Sequence, residues 1–222
     1  MKITIFTLVS GLFLMSANTY AQHVFVNDNQ GKAVVEHKYE NLIGSPYLYD
    51  TWDPGIVKLV NGSVLKDVDL KFDMVNDILL FKGKKGETLQ FVEPVKEFTF
   101  SGPEKHKIFR AGFESTKNTA GNAFYEVLFD GNVKLLKRAK KVIIESKGYN
   151  SATVTKNVDL VEKYYYVDAN GKISEFKSGK KQILGLFNNK AKEVEKLISD
   201  EHLDLKNDAD LVKIFQYYNS TL

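Results

Sequence analysis

Short apolar segments separated by turn-forming residues fill the chain from Gly55 to Phe100. In the run LKFDM at positions 70–74, apolar and polar residues alternate, the period of two that places them on opposite faces of a strand. Asn61-Gly62 separates two such segments and predicts a two-residue type I′ hairpin, because both residues tolerate the positive φ that this turn requires. Further reversals are predicted near Asn76-Asp77 and at 83–86. The stretch therefore predicts an antiparallel meander.

The same pattern returns in the second half of the chain. Asp130-Gly131 and Asn170-Gly171 each lie between apolar runs and predict two more hairpins. Between the halves, the polar run Glu114–Asn122 has no periodicity, so we interpret it as a loop that divides the sheet region in two. Near the N-terminus, His23–Val35 predicts a strand, a turn at Asn29-Gln30-Gly31 and a second strand.

After Ser178 the hydrophobic period changes from two to about 3.6. Two groups of apolar residues have helical spacing: Ala191, Val194, Leu197 and Ile198, then Leu211, Ile214, Phe215 and Tyr218. Asn207 or Asp208 is placed to cap the second helix, since short polar side chains accept hydrogen bonds from the first free N–H groups. Two short amphipathic helices are therefore expected to pack on the sheet.

Together these patterns predict a mainly β protein: an antiparallel sandwich, roll or open barrel of about nine to eleven short strands, followed by two short C-terminal α-helices. The β domain is predicted to occupy residues 22–177, with two halves that meet near 114–122, and the helical segment residues 178–222.

The first 21 residues have the features of a secretory signal peptide. Lys2 precedes an apolar stretch from Ile3 to Met15, and small residues lead to a predicted cleavage site after Ala21. The stretch is too short for a stable membrane span, and no later segment is long and apolar enough for one. We therefore expect an exported protein that does not span a membrane after signal cleavage.

The amino-acid composition limits how the fold can be stabilised and which partners are expected. The chain of 222 residues contains no cysteine, so burial rather than disulfides must hold an exported fold together. Its 15 Phe and 11 Tyr against one Trp favour strands. The formal charge of +3 is too small a surplus to indicate a nucleic-acid partner.

The sequence contains no recognisable set of catalytic or metal-binding residues. The four histidines, His23, His37, His106 and His202, are scattered through the chain, which argues against a metal site, and no cofactor motif is present. Ser63 and Lys66 have the spacing of a Ser-x-x-Lys pair, but they follow a hairpin turn, whereas that chemistry needs one helical turn. We therefore predict a non-catalytic binding or structural protein. The alternatives are a hydrolase that uses carboxylates or serine in the β domain, and a lipocalin-like carrier with an apolar cavity.

Two groups of residues are candidates for ligand binding. Tyr47, Tyr49 and Trp52 form an aromatic segment ahead of the meander, suited either to sugars or peptides or to closing the open end of the sheet core. The second group is basic and could meet a lipid headgroup or an acidic glycan, although lysines also protect edge strands. It comprises Lys134, Lys137, Arg138, Lys140 and Lys141. A glycan, a lipid or a protein of the cell envelope is the expected class of partner.

Three segments carry a resemblance to known sequences. They are GSPYL from Gly44, which leads through Trp52 and Gly55 into the meander; FYEVLFDGNVKLLKR; and the tail that ends Tyr217-Tyr218-Asn219. From Gly44 to Leu222 the chain resembles a group of uncharacterised exported proteins common in Bacteroidota. The resemblance implies a location in the periplasm, outside the cell or at the outer membrane of a Gram-negative bacterium. It provides no catalytic residue.

Overall fold

The computed structural model describes residues 31–33, 39, 41–102, 106–116, 119–147 and 154–222. The predicted signal peptide at 1–21 and most of the predicted strand-turn-strand at 23–35 lie outside these residues. Within the described part the protein is mainly β, as predicted, with its helices at the C-terminal end.

Among the described residues, twelve strands, rather than nine to eleven, form one sheet. They are β1 (Gly31–Ala33), β2 (Leu42–Ile43), β3 (Asp53–Leu59), β4 (Val64–Asp73), β5 (Ile78–Lys82), β6 (Thr88–Phe91), β7 (Val95–Phe100), β8 (Ile108–Arg110), β9 (Tyr125–Asp130), β10 (Lys134–Lys147), β11 (Val154–Val167) and β12 (Ile173–Phe176). Strands β1, β2 and β8 have only two or three residues, which is too short for an alternating pattern to reveal them.

The strands lie in the order β1-β6-β5-β4-β3-β7-β8-β9-β10-β11-β12, and the sheet is not closed. All of these neighbours are antiparallel, while β2 adds a short parallel pairing to β11. From β3 to β6 and from β7 to β12, strands that follow one another in the chain are neighbours in the sheet, whereas β7 returns to the free side of β3, β1 pairs with β6 and β2 with β11. The predicted meander is confirmed for β3 to β6, while β7 departs from it by pairing with β3, and the described residues between β8 and β9 form the predicted loop.

The sheet is strongly curved. The backbone N–H of Lys141 on β10 donates to the carbonyl of Met74, just after β4, over 3.1 Å. Five strand-to-strand steps separate β4 from β10 in the sheet order, which in a flat sheet would place them about 24 Å apart. The chain after β4 and the middle of β10 therefore meet across the curve.

Phenylalanine rings fill the inside of this curve. Phe72, Phe98, Phe109 and Phe124 belong to one buried cluster with apolar residues of β3 to β8, and Ala139 of β10 packs against it. The rings of Phe98 and Phe109 stack with centroids 4.8 Å apart, and Phe124 meets Phe98 edge-on at 5.1 Å. Aromatic packing at this density supplies the burial that a cysteine-free chain needs.

In the described C-terminal residues 154–222, three helices, rather than two, cover one face of β9 to β12. The two predicted helices are confirmed as α2 (Ala191–Asp200) and α3 (Asp208–Ser220), and Asn207 caps α3 by accepting from the backbone of Ala209 and Asp210. A further helix, α1 (Lys180–Leu186), precedes them, and a 3₁₀ turn at Asn188–Lys190 links it to α2. Helix α1 has seven residues, one of them Gly185, so its sequence carries little helical periodicity.

The helices form a second core with the sheet. Phe187, Phe215 and Tyr218 pack together with Leu135 of β10 and Phe176 of β12. At the C-terminal end of α3, the side-chain oxygen of Asn219 accepts from the backbone N–H of Asn132 in the β9–β10 turn over 2.7 Å. A Cβ atom on Gly131 would lie 2.6 Å from that oxygen, which explains a glycine at this point of the predicted hairpin.

Three hairpins share one turn geometry, and it differs from the predicted type I′ turn. In the first, the N–H of Leu59 donates to Ser63 O and the N–H of Gly62 to Leu59 O, so the loop has three residues. Only Gly62, and not Asn61, has a positive φ. The same pattern recurs at Gly86 and Gly171. This is a type I turn followed by a left-handed glycine, the usual three-residue hairpin loop.

Replacing these loop glycines by alanine is expected to destabilise the fold through the backbone alone. Gly62, Gly86 and Gly171 have φ of +89°, +84° and +85°, and a Cβ atom would meet nothing within 4 Å at any of them. Each change should therefore lower the free energy of unfolding by about 1 kcal/mol in urea titrations. The control is Gly185→Ala in α1, where φ is not positive and the space is also open. It should leave stability unchanged or raise it by up to about 1 kcal/mol. Equal effects at all four positions would contradict the assignment.

Candidate functional site

The three aromatic candidates do not form one exposed face. The backbone on either side of Tyr47 pairs with the end of β4: Leu48 N–H donates to Phe72 O, and Met74 N–H to Pro46 O. Tyr49 packs edge-on against Phe100 in the first core, with centroids 5.3 Å apart. The ammonium of Lys71 lies over the other two rings, 4.8 Å from Tyr47 and 5.0 Å from Trp52. Other side chains of the protein therefore contact each of the three rings.

The five basic candidates are divided between the two faces of β10. Strand residues alternate in direction, so Lys134, Arg138 and Lys140 lie on one face and Lys137 and Lys141 on the other. Most of them have partners. Lys134 pairs with Asp130, Arg138 with Asp77, and Lys137 with Asp208. Lys141 donates to the carbonyl of Tyr47 over 2.5 Å. Of the five candidates, Lys140 alone is exposed and has neither an ion pair nor a hydrogen bond to a described residue.

Lys137 joins the sheet to the helices. Its residue is 7% exposed, and its ammonium pairs with Asp208 at the start of α3 and with Glu162 at 3.5 Å. Tyr164 OH also donates to Asp208, over 2.7 Å. Burial acts to lower the pKa of Lys137, but the hydrogen bond to Asp208 and the nearby carboxylates outweigh it, so the pKa is raised. This lysine is part of the fold's internal packing.

Lys134 belongs to a chain of ion pairs centred on Arg110. The guanidinium of Arg110 donates to Glu97 over 2.7 Å and to Asp130 over 2.8 Å, and Lys58 pairs with Glu97 at 2.6 Å. Burial alone would raise the pKa of Glu97 and Asp130. The bonds from Lys58, Lys134 and Arg110 outweigh it and hold both pKa values below the ordinary range.

This arrangement predicts acid sensitivity with a defined sign. A carboxyl whose folded pKa is depressed stabilises the fold fully above its unfolded pKa of about 4, and that contribution is lost as the pH falls through the depressed value. Arg110→Gln should cost about 1 kcal/mol at pH 7, because the groups are partly exposed. It should also reduce the loss of stability between about pH 5 and pH 2 in urea titrations. Parallel pH profiles for the variant and the wild type would contradict this assignment.

A cleft of about 1000 Å³ lies on another part of the molecule. Six separate parts of the chain line it: the residue after β3, the turn at Asn76-Asp77 with β5, the stretch from β6 to β7, the residues after β8, the loop at 119–124, and β10. Leu79, Phe91 and Phe124 provide a buried apolar floor. Val60 lines it too and is 61% exposed. A cleft of this size that combines apolar residues with polar ones is a candidate site for a small molecule.

Charged groups surround this floor. Arg138 lies on the wall and donates to Asp77 over 2.7 Å, while its Nε–H is buried with no acceptor among the described residues. Lys140, two residues along β10, shares the wall with it. Lys96 and Glu93 complete the charged set, and neither has a hydrogen bond or ion pair in the part of the chain that the structure describes. The cleft therefore contains charged side chains that form no ion pair with the described residues and are available to a ligand.

Sequence reasoning found only two members of this site, Arg138 and Lys140. It interpreted Asp77 as a turn residue and gave no role to Glu93 or Lys96. The structure gives Asp77 a left-handed conformation with φ of +61°, which a non-glycine residue rarely adopts and which the sequence does not reveal. The rest of the site depends on which strands the curve brings together.

The structure does not bring together the other catalytic or metal-binding candidates. Ser63 ends the first hairpin loop and Lys66 lies on the extended strand β4, so the two do not share a helical turn. Among the described residues, no group of three or more His, Asp or Glu is placed to hold a metal ion. In the same part of the chain, every helix is too short or too polar to cross a bilayer.

Comparisons with known proteins were made at three levels. No protein-family profile matches the chain, and neither the curated proteins nor the solved structures gave a match.

Proposed function

We propose that this protein is an exported, non-catalytic binding module of a Gram-negative cell envelope, and that it holds a small molecule in the cleft. Export is supported by the signal-like residues 1–21. Binding is supported by one observation above the others: a cleft of about 1000 Å³ joins an apolar floor to charged groups that other described residues leave unpaired.

The lipocalin-like alternative needs an apolar cavity inside the curved sheet. Phenylalanine rings that are only 0–9% exposed pack in that position. The cleft instead combines β10 with loops and strand ends. The hydrolase alternative needs two carboxylates that act together, and the cleft offers Asp77 and Glu93, of which Asp77 is already paired with Arg138. Binding is the better-supported function for this arrangement.

The test uses the mature chain from Gln22 and the neutral probe N-phenyl-1-naphthylamine, which fluoresces in apolar surroundings. We expect saturable binding that Ala120→Trp abolishes, because Ala120 is exposed and lines the cleft, so an indole there would fill it. The matched control, Lys192→Trp, places the same ring on an exposed position of α2 and should bind the probe like the wild type.

Equal binding by both tryptophan variants, or no saturable binding by the wild type, would contradict a ligand site in the cleft. Hydrolysis of p-nitrophenyl octanoate by the wild type that Glu93→Gln removes would favour the hydrolase instead.

A further inference from the structure

We propose that the ligand of this cleft is a single-chain amphiphile that carries one anionic headgroup. This inference rests on the proposed function, since it names the chemical class that the same cleft would take.

The apolar part of the ligand follows from the floor of the cleft. Leu79 and Phe91 are at most 8% exposed, and Phe124 is 9% exposed, so a ligand would meet their edges at the bottom of the cleft. Val60 continues the apolar surface to a position where it is 61% exposed. An unbranched hydrocarbon chain is the simplest ligand that would cover these four apolar residues. Each further methylene group that it buries should strengthen binding about 3- to 4-fold.

The charge of the headgroup follows from the ionic groups on the wall. Lys96, Arg138 and Lys140 face two carboxylates, Asp77 and Glu93, which leaves a surplus of one positive charge, three minus two. Asp77 is already engaged by Arg138. Two lysines are therefore left against Glu93 alone, and the Nε–H of Arg138 has no acceptor among the described residues. An anionic headgroup is attracted by this set and a cationic one is repelled.

The experiment compares three ligands with the same 12-carbon chain: dodecanoate, dodecyl maltoside and dodecyltrimethylammonium, each below its micelle concentration. Their affinities for the mature chain are measured by displacement of N-phenyl-1-naphthylamine. We expect dodecanoate to bind at least 10-fold more tightly than the cation, with the neutral maltoside between them. Octanoate should bind much more weakly than dodecanoate, because it buries fewer methylene groups.

Charge variants test the assignment residue by residue. Lys96→Gln with Lys140→Gln should weaken dodecanoate about 5- to 30-fold, because each exposed lysine contributes a modest ionic interaction. The same double variant should bind the maltoside as the wild type does. Glu93→Gln removes the opposing charge and should strengthen dodecanoate a few-fold. The control is Lys192→Gln, on the exposed side of α2, which should change nothing.

The outcomes separate the two proposals. If the neutral probe binds in the cleft but the cation matches or exceeds dodecanoate, or the double lysine variant binds dodecanoate unchanged, the anionic class is overturned while the proposed function stands. If none of the three ligands displaces the probe because the probe itself does not bind, the proposed function fails with it.

Discussion

Truncating Phe98 to alanine is expected to lower the free energy of unfolding by about 3–5 kcal/mol. Phe98 is fully buried, and its ring contacts four others, with centroids 5.2 Å from Phe72, 5.8 Å from Phe100, 4.8 Å from Phe109 and 5.1 Å from Phe124. The change removes the transfer free energy of one ring and leaves a cavity where β4, β7 and β8 meet the loop before β9, so the cost lies at the upper end for a core truncation. Urea unfolding followed by circular dichroism measures it.

The matched control is Phe98→Leu, which keeps most of the buried volume and should cost about 1–2 kcal/mol. Val92→Ala provides a second control, because Val92 is 66% exposed and has little burial to lose. A loss below 1 kcal/mol for Phe98→Ala would contradict an aromatic core inside the curve.

Asp208→Ala is expected to lower the free energy of unfolding by about 2–3 kcal/mol. The change removes the main partner of the Lys137 ammonium, whose side chain is 9% exposed, and leaves a buried charge with only Glu162 at 3.5 Å. The cost is smaller than for a fully buried pair because the Asp208 side chain is 36% exposed. The control is Asp210→Asn on the same helix, where the carboxylate pairs with an exposed lysine, Lys213, and no measurable change is expected.

A double-mutant cycle makes this prediction specific to the pair. Combining Asp208→Ala with Lys137→Met removes both charges and keeps an apolar side chain of similar length, so it should cost less than Asp208→Ala alone. The acid sensitivity of the fold should also change. The pKa of Asp208 is lowered, because the bonds from Lys137 and Tyr164 outweigh its burial, so its contribution is complete above about pH 4 and lost below. If the unfolding free-energy costs of the two changes are additive and the pH profile of stability does not change, the proposed role of the Lys137–Asp208 ion pair is contradicted.

The fold was largely predictable because single glycine residues mark several of its turns. Gly62, Gly86 and Gly171 mark three reversals, and the alternation around Phe72 marks the core face of β4. The turn type was not predictable from Asn61-Gly62, because a three-residue loop with one left-handed glycine uses the same dipeptide as a type I′ turn. Helix α1 was missed because its seven residues include Gly185 and bury only Ile183.

The site was much less predictable than the fold. Lys137 and Lys140 are three residues apart in a basic run, yet strand alternation places one against α3 and the other on the cleft wall. Glu93 and Lys96 join Lys140 only because the curved sheet brings the β6–β7 region to β10. Such an arrangement depends on long-range contacts, such as the one between Met74 and Lys141, which no local pattern records.

The most direct test of the ligand site is a titration of the isotope-labelled mature chain with dodecanoate, followed by the chemical shifts of its backbone amides. The largest changes are predicted at Ala111, Gly112 and residues 120–124, which line the cleft on otherwise separate segments. Changes concentrated instead at α1 to α3 or around Tyr47 and Trp52, or no saturable change at all, would contradict a binding site in the cleft.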